Sequence, residues 1–303
     1  MNKDIFYYQI NSYKSFIIEL VDKKIDSKYY IEEKIATGGH SLVFNVRNNQ
    51  DEHFAMKLFF KDTIEDISDE LECMKIITVS GNERFFTTLL DYGTLDIKIK
   101  MVEHKTQKSS AQTVKTVPYL ITSLAKGDLP SFICEKKSSI TFLNKLNMSL
   151  NLVEALAILH EKNLIHRDIK PENILQNGDS LILSDFGLSI QTINSKKRIR
   201  IEGPRYWPTP EHLNPCKEQS KATQATDVFQ LACILYYVFT GIYPLGYWES
   251  NDIFGNDILD LKMKKKKELL KGVLHTALHY DNESRFQNGM ELHKAFINIL
   301  ELD

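Results

Sequence analysis

The chain has 303 residues, of which 43% are hydrophobic and 26% are charged, the composition of an ordinary soluble globular protein. Its length suits about two domains of roughly 150 residues each. The net charge of −2 gives no overall field that would attract nucleic acid or an acidic membrane, so we expect neither as a partner.

The cysteines and the N-terminal sequence bear on the cellular compartment. The cysteines are too scattered for a disulfide framework or a zinc site; they are Cys73, Cys134, Cys216 and Cys233. The first twenty residues contain Asp4 and Glu19 and no apolar run as long as a secretion signal needs. We therefore expect a cytoplasmic protein with reduced thiols.

The N-terminal part is predicted to be rich in strands. Residues 1–28 are interpreted as an extension with a short helix at 12–23. From Tyr29 onward apolar and polar residues alternate, which indicates strands; the pattern continues through 42–46 and 53–60 and returns at 85–92 and 118–123. Residues 62–77 have the apolar spacing of a helix. The basic, Ser/Thr-rich residues 97–116 are expected to form an extended hairpin connection and not a separate domain.

The rest of the chain is predicted to be helical. Apolar residues recur every three or four positions at 140–162, and further helices are expected at 259–280 and 287–300. The apolar residues 228–245 are long enough to be considered as a membrane span, but Gln230, Gly241 and Pro244 interrupt them. We expect a buried core helix there, and an α+β fold for the chain.

Two motifs identify the family that this sequence resembles. Residues 166–173 read His-Arg-Asp-Ile-Lys-Pro-Glu-Asn, and Asp-Phe-Gly begins seventeen residues after Asp168. At this spacing they resemble the catalytic loop and D-F-G motif of eukaryotic-type (Hanks-type) serine/threonine protein kinases. The resemblance covers roughly residues 29–300. It implies a bilobal protein-kinase fold, with a small antiparallel β-rich lobe that carries one main helix (about 29–122), a hinge (about 123–127) and a larger helical lobe (about 128–303).

The resemblance also implies the catalytic chemistry. Asp168 would accept the proton of a substrate hydroxyl, while Asn173 and Asp185 would hold Mg²⁺. Lys170, two residues after the base, is the residue that serine/threonine kinases carry there, and it places a positive charge near the transferring phosphoryl group. ATP and Mg²⁺ would bind between the lobes.

The small lobe would supply most contacts to ATP. Residues 35–43 resemble the glycine-rich loop that covers the phosphates, although two glycines of the family pattern are replaced. Lys57 matches the strand lysine that contacts the α- and β-phosphates and pairs with an acid of the following helix. We expect Glu70 to be that acid, with Glu72 as the alternative.

The hinge follows the last strand of the small lobe. Thr122 would be the gatekeeper residue, and the backbone groups of Ser123 and Ala125 would bind the adenine edge. The residues expected to contact ATP are Ile35, Gly38, Gly39, Val43, Ala55, Lys57, Thr122, Ser123, Ala125 and Leu175.

Further family features lie in the large lobe. Thr209-Pro210-Glu211 stands in place of A-P-E, and Glu211 would form a buried pair with Arg285. Asp227 would brace the backbone of the catalytic loop. Pro204 occupies the position of a family threonine that bonds the catalytic aspartate and lysine, which leaves the substrate class open.

The segment between Asp185 and Glu211 suggests regulation. Ser189, Thr192 and Ser195 are candidate phosphate acceptors, and a phosphate at Thr192 or Ser195 would bridge Arg167 and the basic residues 196–200. Alternatively, the basic run is a solvated or substrate-docking surface.

The sequence as a whole predicts an ATP- and Mg²⁺-dependent kinase that phosphorylates Ser/Thr hydroxyls of proteins, its own included. A pseudokinase that serves as a nucleotide-binding scaffold is one alternative, because the glycine-rich loop is altered. A phosphotransferase acting on a small molecule is the other. The protein substrate and the oligomeric state stay open.

Overall fold

The computed structural model describes residues 5–11, 14–20, 24–39, 41–103, 108–136, 140–191, 209–213, 222–242, 244 and 261–302. The chain divides into two compact units, which we call the sheet unit (Met1–Leu71 and Thr88–Leu124) and the helical unit (Glu72–Thr87 and Ala125–Asp303). The predicted α+β class, with a strand-rich part followed by a helical part, is confirmed.

One antiparallel sheet organises the sheet unit. Its strands are β1 (Ile5–Asn11), β2 (Lys14–Leu20), β3 (Lys24–Ile25), β4 (Tyr29–Thr37), β5 (Ser41–Asn48), β6 (His53–Phe59), β7 (Leu89–Glu103), β8 (Lys108–Ser109) and β9 (Thr113–Ser123). Their order in the sheet is β1-β2-β7-β9-β6-β5-β4-β3, with β8 paired to β7.

The predicted helix at 12–23 is wrong, because residues 14–20 form the strand β2, which pairs with β1. β2 pairs with β7 from Lys14 opposite Glu103 to Leu20 opposite Ile97. Ile18 is fully buried and Leu20 nearly so. This alternate burial has the period of a strand, and the burial of these side chains in the sheet core outweighs the local helical appearance.

The predicted hairpin at 97–116 is confirmed. β7 and β9 pair along this stretch, with Leu95 opposite Val117 and Ile99 opposite Thr113. The strand predicted at 85–92 begins later, at Leu89, because Phe86 instead forms an isolated bridge with Leu183 inside the helical unit.

A tight turn joins β3 to β4 through two residues in the left-handed region. Asp26 has φ 48° and Ser27 has φ 58°, and the Lys28 N–H donates to the Ile25 carbonyl across 2.8 Å. The Asp26 carboxylate accepts a hydrogen bond of 2.8 Å from the Tyr119 hydroxyl. This bond fastens the turn to β9 and offsets part of the strain of a non-glycine residue at positive φ.

The helical unit contains most of the helices. In the part of the chain that the structure describes, the α-helices are α1 (Ser68–Val79), at the division between the units, α2 (Leu129–Lys136), α3 (Phe142–Glu161), α4 (Pro210–Leu213), α5 (Gln224–Thr240), α6 (Leu261–Ala277) and α7 (Gly289–Leu300). Short strands accompany them: β10 (Leu164–Ile165) pairs with β13 (Ile190–Gln191), and β11 (Ile174–Asn177) pairs with β12 (Ser180–Leu183).

Residues 228–240 of the apolar run lie in the buried helix α5, as predicted. A capping box between Thr223 and Thr226 starts this helix, and Gly241 ends it with φ 68°, the left-handed conformation that glycine adopts without a steric penalty. Among the described residues, no helix is long and apolar enough to cross a membrane.

Helices α3 and α7 pack closely enough to require a glycine. A Cβ built on Gly289 would lie 2.6 Å from backbone atoms of Leu156 and Ala157 in α3. These atoms cannot move aside without distorting the helix. The first residue of α7 is therefore restricted to glycine by its contact with α3.

Candidate active site

The ion pair between Lys57 and Glu70 is formed within the sheet unit. Lys57 lies in the middle of β6, and its Nζ donates to Oε1 of Glu70 across 2.7 Å. Glu70 stands in the first turn of α1 and is 6% exposed, whereas Glu72 is exposed. Of the two acids considered from the sequence, Glu70 is the partner.

Several residues expected to contact ATP share one face of the sheet. Val43 lies directly opposite Lys57 on the neighbouring strand, and Ala55 lies directly opposite Thr122. Their neighbours in sequence, such as Phe44 and Met56, are fully buried and face the other way into the core. Because side chains alternate along a strand, the register alone places these four residues on the face opposite that core.

The glycine-rich loop connects β4 to β5. The Gly38 N–H donates to the Ser41 carbonyl across 2.9 Å, and a Cβ on Gly38 would meet the Ser41 hydroxyl at 2.7 Å. Gly39 has open space where a Cβ would be. Ile35 lies at an irregularity in the pairing of β4 and is 47% exposed.

The candidate hinge follows β9. The Ser123 N–H donates to the Thr88 carbonyl across 3.1 Å, and the Ser123 hydroxyl accepts from the Thr88 N–H. Ser123 is the last residue of β9, where it pairs in register with Phe54 of β6. In the helical unit, Leu175 lies on β11 and bridges to Asp128, three residues after Ala125.

Asp168 is held by two neighbours from its own loop. Lys170 Nζ donates to Oδ2 of Asp168 across 2.7 Å, and Asn173 Nδ2 donates to the same oxygen across 3.1 Å. Asp168 is 6% exposed. Within the described part of the chain, the hydrogen bonds to this carboxylate end on Oδ2, so Oδ1 is the oxygen available to a substrate hydroxyl.

The residues expected to hold Mg²⁺ offer oxygen ligands. The amide of Asn173 donates from Nδ2 to the backbone and side chain of Asp168, which leaves its Oδ1 to face a metal. The backbone carbonyl of Asn173 accepts from both the N–H and the hydroxyl of Ser184 at 2.9 Å, so Asn173 is tied to the residue preceding Asp185. One amide oxygen and one carboxylate fit Mg²⁺, which takes its remaining ligands from water and phosphates.

Strained backbone occurs at two positions of the site. Arg167 has φ 69° and Asp185 has φ 62°, conformations that cost non-glycine residues about 1–3 kcal/mol. The loop containing Arg167 is held by Asp227 of α5, whose carboxylate accepts from the His166 N–H at 2.7 Å and from the Arg167 N–H at 2.8 Å. Asp227 is fully buried, as its expected bracing role requires.

His160 connects this carboxylate to α7. Its Nε2 lies 3.1 Å from Oδ2 of Asp227, and its Nδ1 accepts from the Gly289 N–H across 2.8 Å. Because Nδ1 accepts a hydrogen bond, it carries no hydrogen in the neutral ring. The ring hydrogen is therefore on Nε2 and points at Asp227. The same glycine that allows α3 and α7 to pack thus contributes to holding the catalytic loop.

His166 of the catalytic loop is fully buried, and this burial lowers its pKa below the ordinary value despite the opposing effect of Asp227, Asp168 and Asp185. Its ring is therefore neutral at pH 7. Nε2 donates to the Ser184 carbonyl across 3.1 Å, and the ring packs against Phe186 with centroids 5.1 Å apart.

The predicted pair of Glu211 and Arg285 is confirmed. Arg285 Nη1 and Nη2 donate to the two carboxylate oxygens across 2.7 and 3.0 Å. The side chain of Arg285 is fully buried and its guanidinium lies over the ring of Phe229 at 4.7 Å. Thr226 at the start of α5 also donates to Glu211, so α4 and α5 are linked at this point.

The predicted regulatory residues are only partly described. Thr192, Ser195, the basic residues 196–200 and Pro204 lie outside the described residues. Ser189 is 2% exposed and its hydroxyl donates to the His166 carbonyl, so it is not accessible as a phosphate acceptor in this conformation.

Sequence reasoning missed three residues that hold the site: His160, Ser184 and Gln230. Gln230 was interpreted only as an interruption of an apolar run, yet it is 2% exposed and bonds the backbone on both sides of Asp168. A polar residue inside an apolar helix was the available signal, because buried polar groups almost always have hydrogen-bond partners.

Comparison with known proteins agrees with the geometry. The sequence model of the protein kinase domain matches residues 29–297. A "probable serine/threonine-protein kinase" of Clostridium perfringens (strain 13 / Type A) is 22% identical over 290 residues, which are 90% of this chain and 38% of that protein. Calcium/calmodulin-dependent protein kinase type 1 of Caenorhabditis elegans is 30% identical over 233 residues, which are 75% of this chain and 60% of that protein.

A third relative, a "probable serine/threonine-protein kinase" of Dictyostelium discoideum, is 30% identical over 143 residues, 46% of this chain and 14% of that protein. In each case the matched part is less than two thirds of the relative's length. Because the family match extends over most of the chain, and because the catalytic-loop and D-F-G residues occupy the arrangement described above, the chain belongs to the protein kinase family, among relatives named as serine/threonine-protein kinases.

Proposed function

We propose that this protein transfers the γ-phosphoryl group of ATP, in the presence of Mg²⁺, to Ser and Thr hydroxyls of protein substrates, and that it also phosphorylates itself. The observation that carries the proposal is the hydrogen-bonded set formed by Asp168, Lys170 and Asn173. It combines a base with a neighbouring cation and a metal ligand, the parts that phosphoryl transfer requires.

Asp168 performs the proton chemistry. Its Oδ1 accepts the hydroxyl proton of the substrate while the hydroxyl oxygen forms a bond to the γ-phosphorus. The bond from that phosphorus to the β–γ bridging oxygen breaks, and its electron pair leaves with ADP. Lys170, 2.7 Å from the carboxylate, offsets negative charge on the transferring group.

The remaining residues position and neutralise the phosphates. Lys57 contacts the α- and β-phosphates, and its ion pair with Glu70 fixes the direction of its long side chain. Asn173 and Asp185 would hold Mg²⁺, which would neutralise charge on the phosphates. Positioning and electrostatic stabilisation account for most of the acceleration.

Ser/Thr specificity and location belong to the same proposal. Lys170 and the names of the relatives support hydroxyls of Ser and Thr over Tyr. The described cysteines Cys73, Cys134 and Cys233 are free thiols, which supports a reducing cytoplasmic location. The proposed substrates are proteins.

The test is phosphate transfer from radiolabelled ATP to the protein itself and to a generic basic protein, followed by phosphoamino-acid analysis. Asp168→Asn is expected to reduce transfer by about 10²–10⁴-fold, the usual contribution of general base catalysis, while it retains ATP binding. Asp179→Asn makes the same chemical change at an exposed turn between β11 and β12, and it should leave the rate unchanged.

The alternatives predict different results. A pseudokinase would bind ATP without transferring label in either variant, and a small-molecule phosphotransferase would label neither protein. Near-wild-type transfer by Asp168→Asn would show that Asp168 is not the base.

A further inference from the structure

The side-chain amide of Gln230 forms hydrogen bonds to both peptide groups that flank Asp168. Its Oε1 accepts from the Ile169 N–H across 3.0 Å, and its Nε2 donates to the Arg167 carbonyl across 3.0 Å. The Arg167 carbonyl belongs to the peptide before the Asp168 Cα, and the Ile169 N–H belongs to the peptide after it. One side-chain amide therefore bonds both peptide groups that meet at this residue. It acts alongside His166 Nδ1, which accepts from the Asp168 N–H at 3.3 Å, and Asn173, which donates to the Asp168 carbonyl at 2.8 Å.

Fixing the planes of these two peptide groups fixes the direction in which the Asp168 side chain leaves the backbone. Only φ and ψ separate the planes, so holding both leaves the Cα–Cβ bond with one orientation. Asp227 cannot do this alone, because it holds the N–H groups of His166 and Arg167, which precede the Arg167–Asp168 peptide.

The position of Gln230 on α5 also suits this role. Three residues after Asp227, it lies on the same face of α5, and it is 2% exposed among apolar neighbours of that helix. A buried amide is costly unless both of its ends are bonded, and here both ends are bonded to the catalytic loop. An ordinary core position would be filled by an apolar side chain of similar volume.

We propose that Gln230 is a positioning residue for phosphoryl transfer, which orients the base Asp168 without touching substrate. The proposal rests on the proposed kinase function. Gln230 should therefore act on the chemical step and not on the binding of ATP or protein substrate.

The test compares three variants of the full chain. Gln230→Met keeps the length of the side chain and removes both hydrogen bonds. Gln230→Glu keeps an oxygen for the Ile169 N–H but turns the donor toward Arg167 into an acceptor. Gln224→Met is the matched control, because Gln224 lies on the same helix and donates to a carbonyl outside the loop, that of His160.

Steady-state kinetics with ATP and a generic basic protein give the first readout. Gln230→Met is expected to lower kcat by about 10- to 100-fold with both KM values within about twofold of wild type, because misplacing a catalytic group by ~1 Å costs on the order of 10² in rate. Gln230→Glu should also lower kcat, and Gln224→Met should have the kcat of wild type. A kcat within twofold of the control, or a loss expressed as a higher KM for ATP, would overturn the proposal.

Hydrogen–deuterium exchange gives a readout that does not need turnover. Gln230→Met should speed exchange of the Ile169 amide in peptides covering residues 164–175, and Gln230→Glu should keep it protected. Exchange that rises equally along α3 and α5 would indicate a merely structural role and would also overturn the proposal. If Gln230→Met unfolds at the assay temperature, Gln230→Glu decides the proposal through kcat, because its Ile169 amide is expected to stay protected as in wild type. An inactive wild type would contradict the proposed function. Exchange at the Ile169 amide would still decide whether Gln230 holds this peptide group.

Discussion

Replacing Arg285 by alanine should destabilise the helical unit strongly. The buried guanidinium donates to both oxygens of Glu211 and to the backbone carbonyls of Ala225, His279 and Tyr280. Removing the side chain leaves a carboxylate that is 8% exposed at its side chain, together with three carbonyls that lose a charged donor. Breaking a buried ion pair in this way costs about 3–5 kcal/mol.

The partner variant should cost less. In Glu211→Ala the guanidinium keeps its three carbonyl acceptors, so fewer groups lose their partners than in Arg285→Ala. The double variant should be less destabilised than the sum of the single ones, with a coupling energy of about 0.5–3 kcal/mol. The asymmetry between the two single variants follows directly from the additional bonds of Arg285.

Thermal unfolding followed by circular dichroism measures these differences. For a domain of 150–250 residues, 1 kcal/mol shifts Tm by about 2–4 °C, so Arg285→Ala should lower Tm by roughly 6–20 °C. Arg84→Ala is the control, because Arg84 pairs with Glu154 across 3.3 Å while its own side chain is 72% exposed, and such surface pairs contribute about 0–1 kcal/mol. A shift for Arg285→Ala no larger than that of the control, or strictly additive effects, would refute the reasoning.

Three further experiments test the fold. Ser27→Gly should raise the free energy of unfolding by about 0.5–1 kcal/mol in urea titrations, because the left-handed φ of 58° strains serine more than the added freedom of glycine costs in the unfolded chain. A lower free energy of unfolding would count against this turn conformation. Gly289→Ala should lower Tm, because its Cβ would meet the α3 backbone at 2.6 Å, and an unchanged Tm would show that α3 and α7 are not packed this closely. Burial raises the pKa of the Cys233 thiol to about 12, so iodoacetamide at pH 8 should modify the exposed Cys134 and spare Cys233 in the native protein, as peptide mass spectrometry would show.

The sequence predicted those parts of the site that depend on local spacing. The interval between Asp168 and Asp185 and the position of Glu70 in its helix are properties of short stretches of chain, and they carry over from a family pattern without knowledge of packing. The pairing of Glu211 with Arg285 is not local, and only the family resemblance made it predictable.

Long-range pairing explains what was missed. Residues 14–20 were interpreted as helical because their partner strand β7 lies some eighty residues later in the chain, so nothing in the local sequence reveals the pairing that makes them a strand. Gln230 was missed for a related reason. Its role depends on backbone atoms of residues 167 and 169, more than sixty positions earlier, and the sequence shows only a polar residue in an apolar run.

The apolar character of α5 is what makes its few polar side chains effective. Asp227 and Gln230 lie in a buried helix whose other buried residues are mostly apolar. Water therefore does not compete for their bonds to the catalytic loop, and each bond is electrostatically stronger than it would be at the surface. The first turn of the same helix reaches Glu211 through Thr226. Mutations that loosen the packing of α5 should therefore disturb the orientation of Asp168 even where they touch none of its hydrogen bonds.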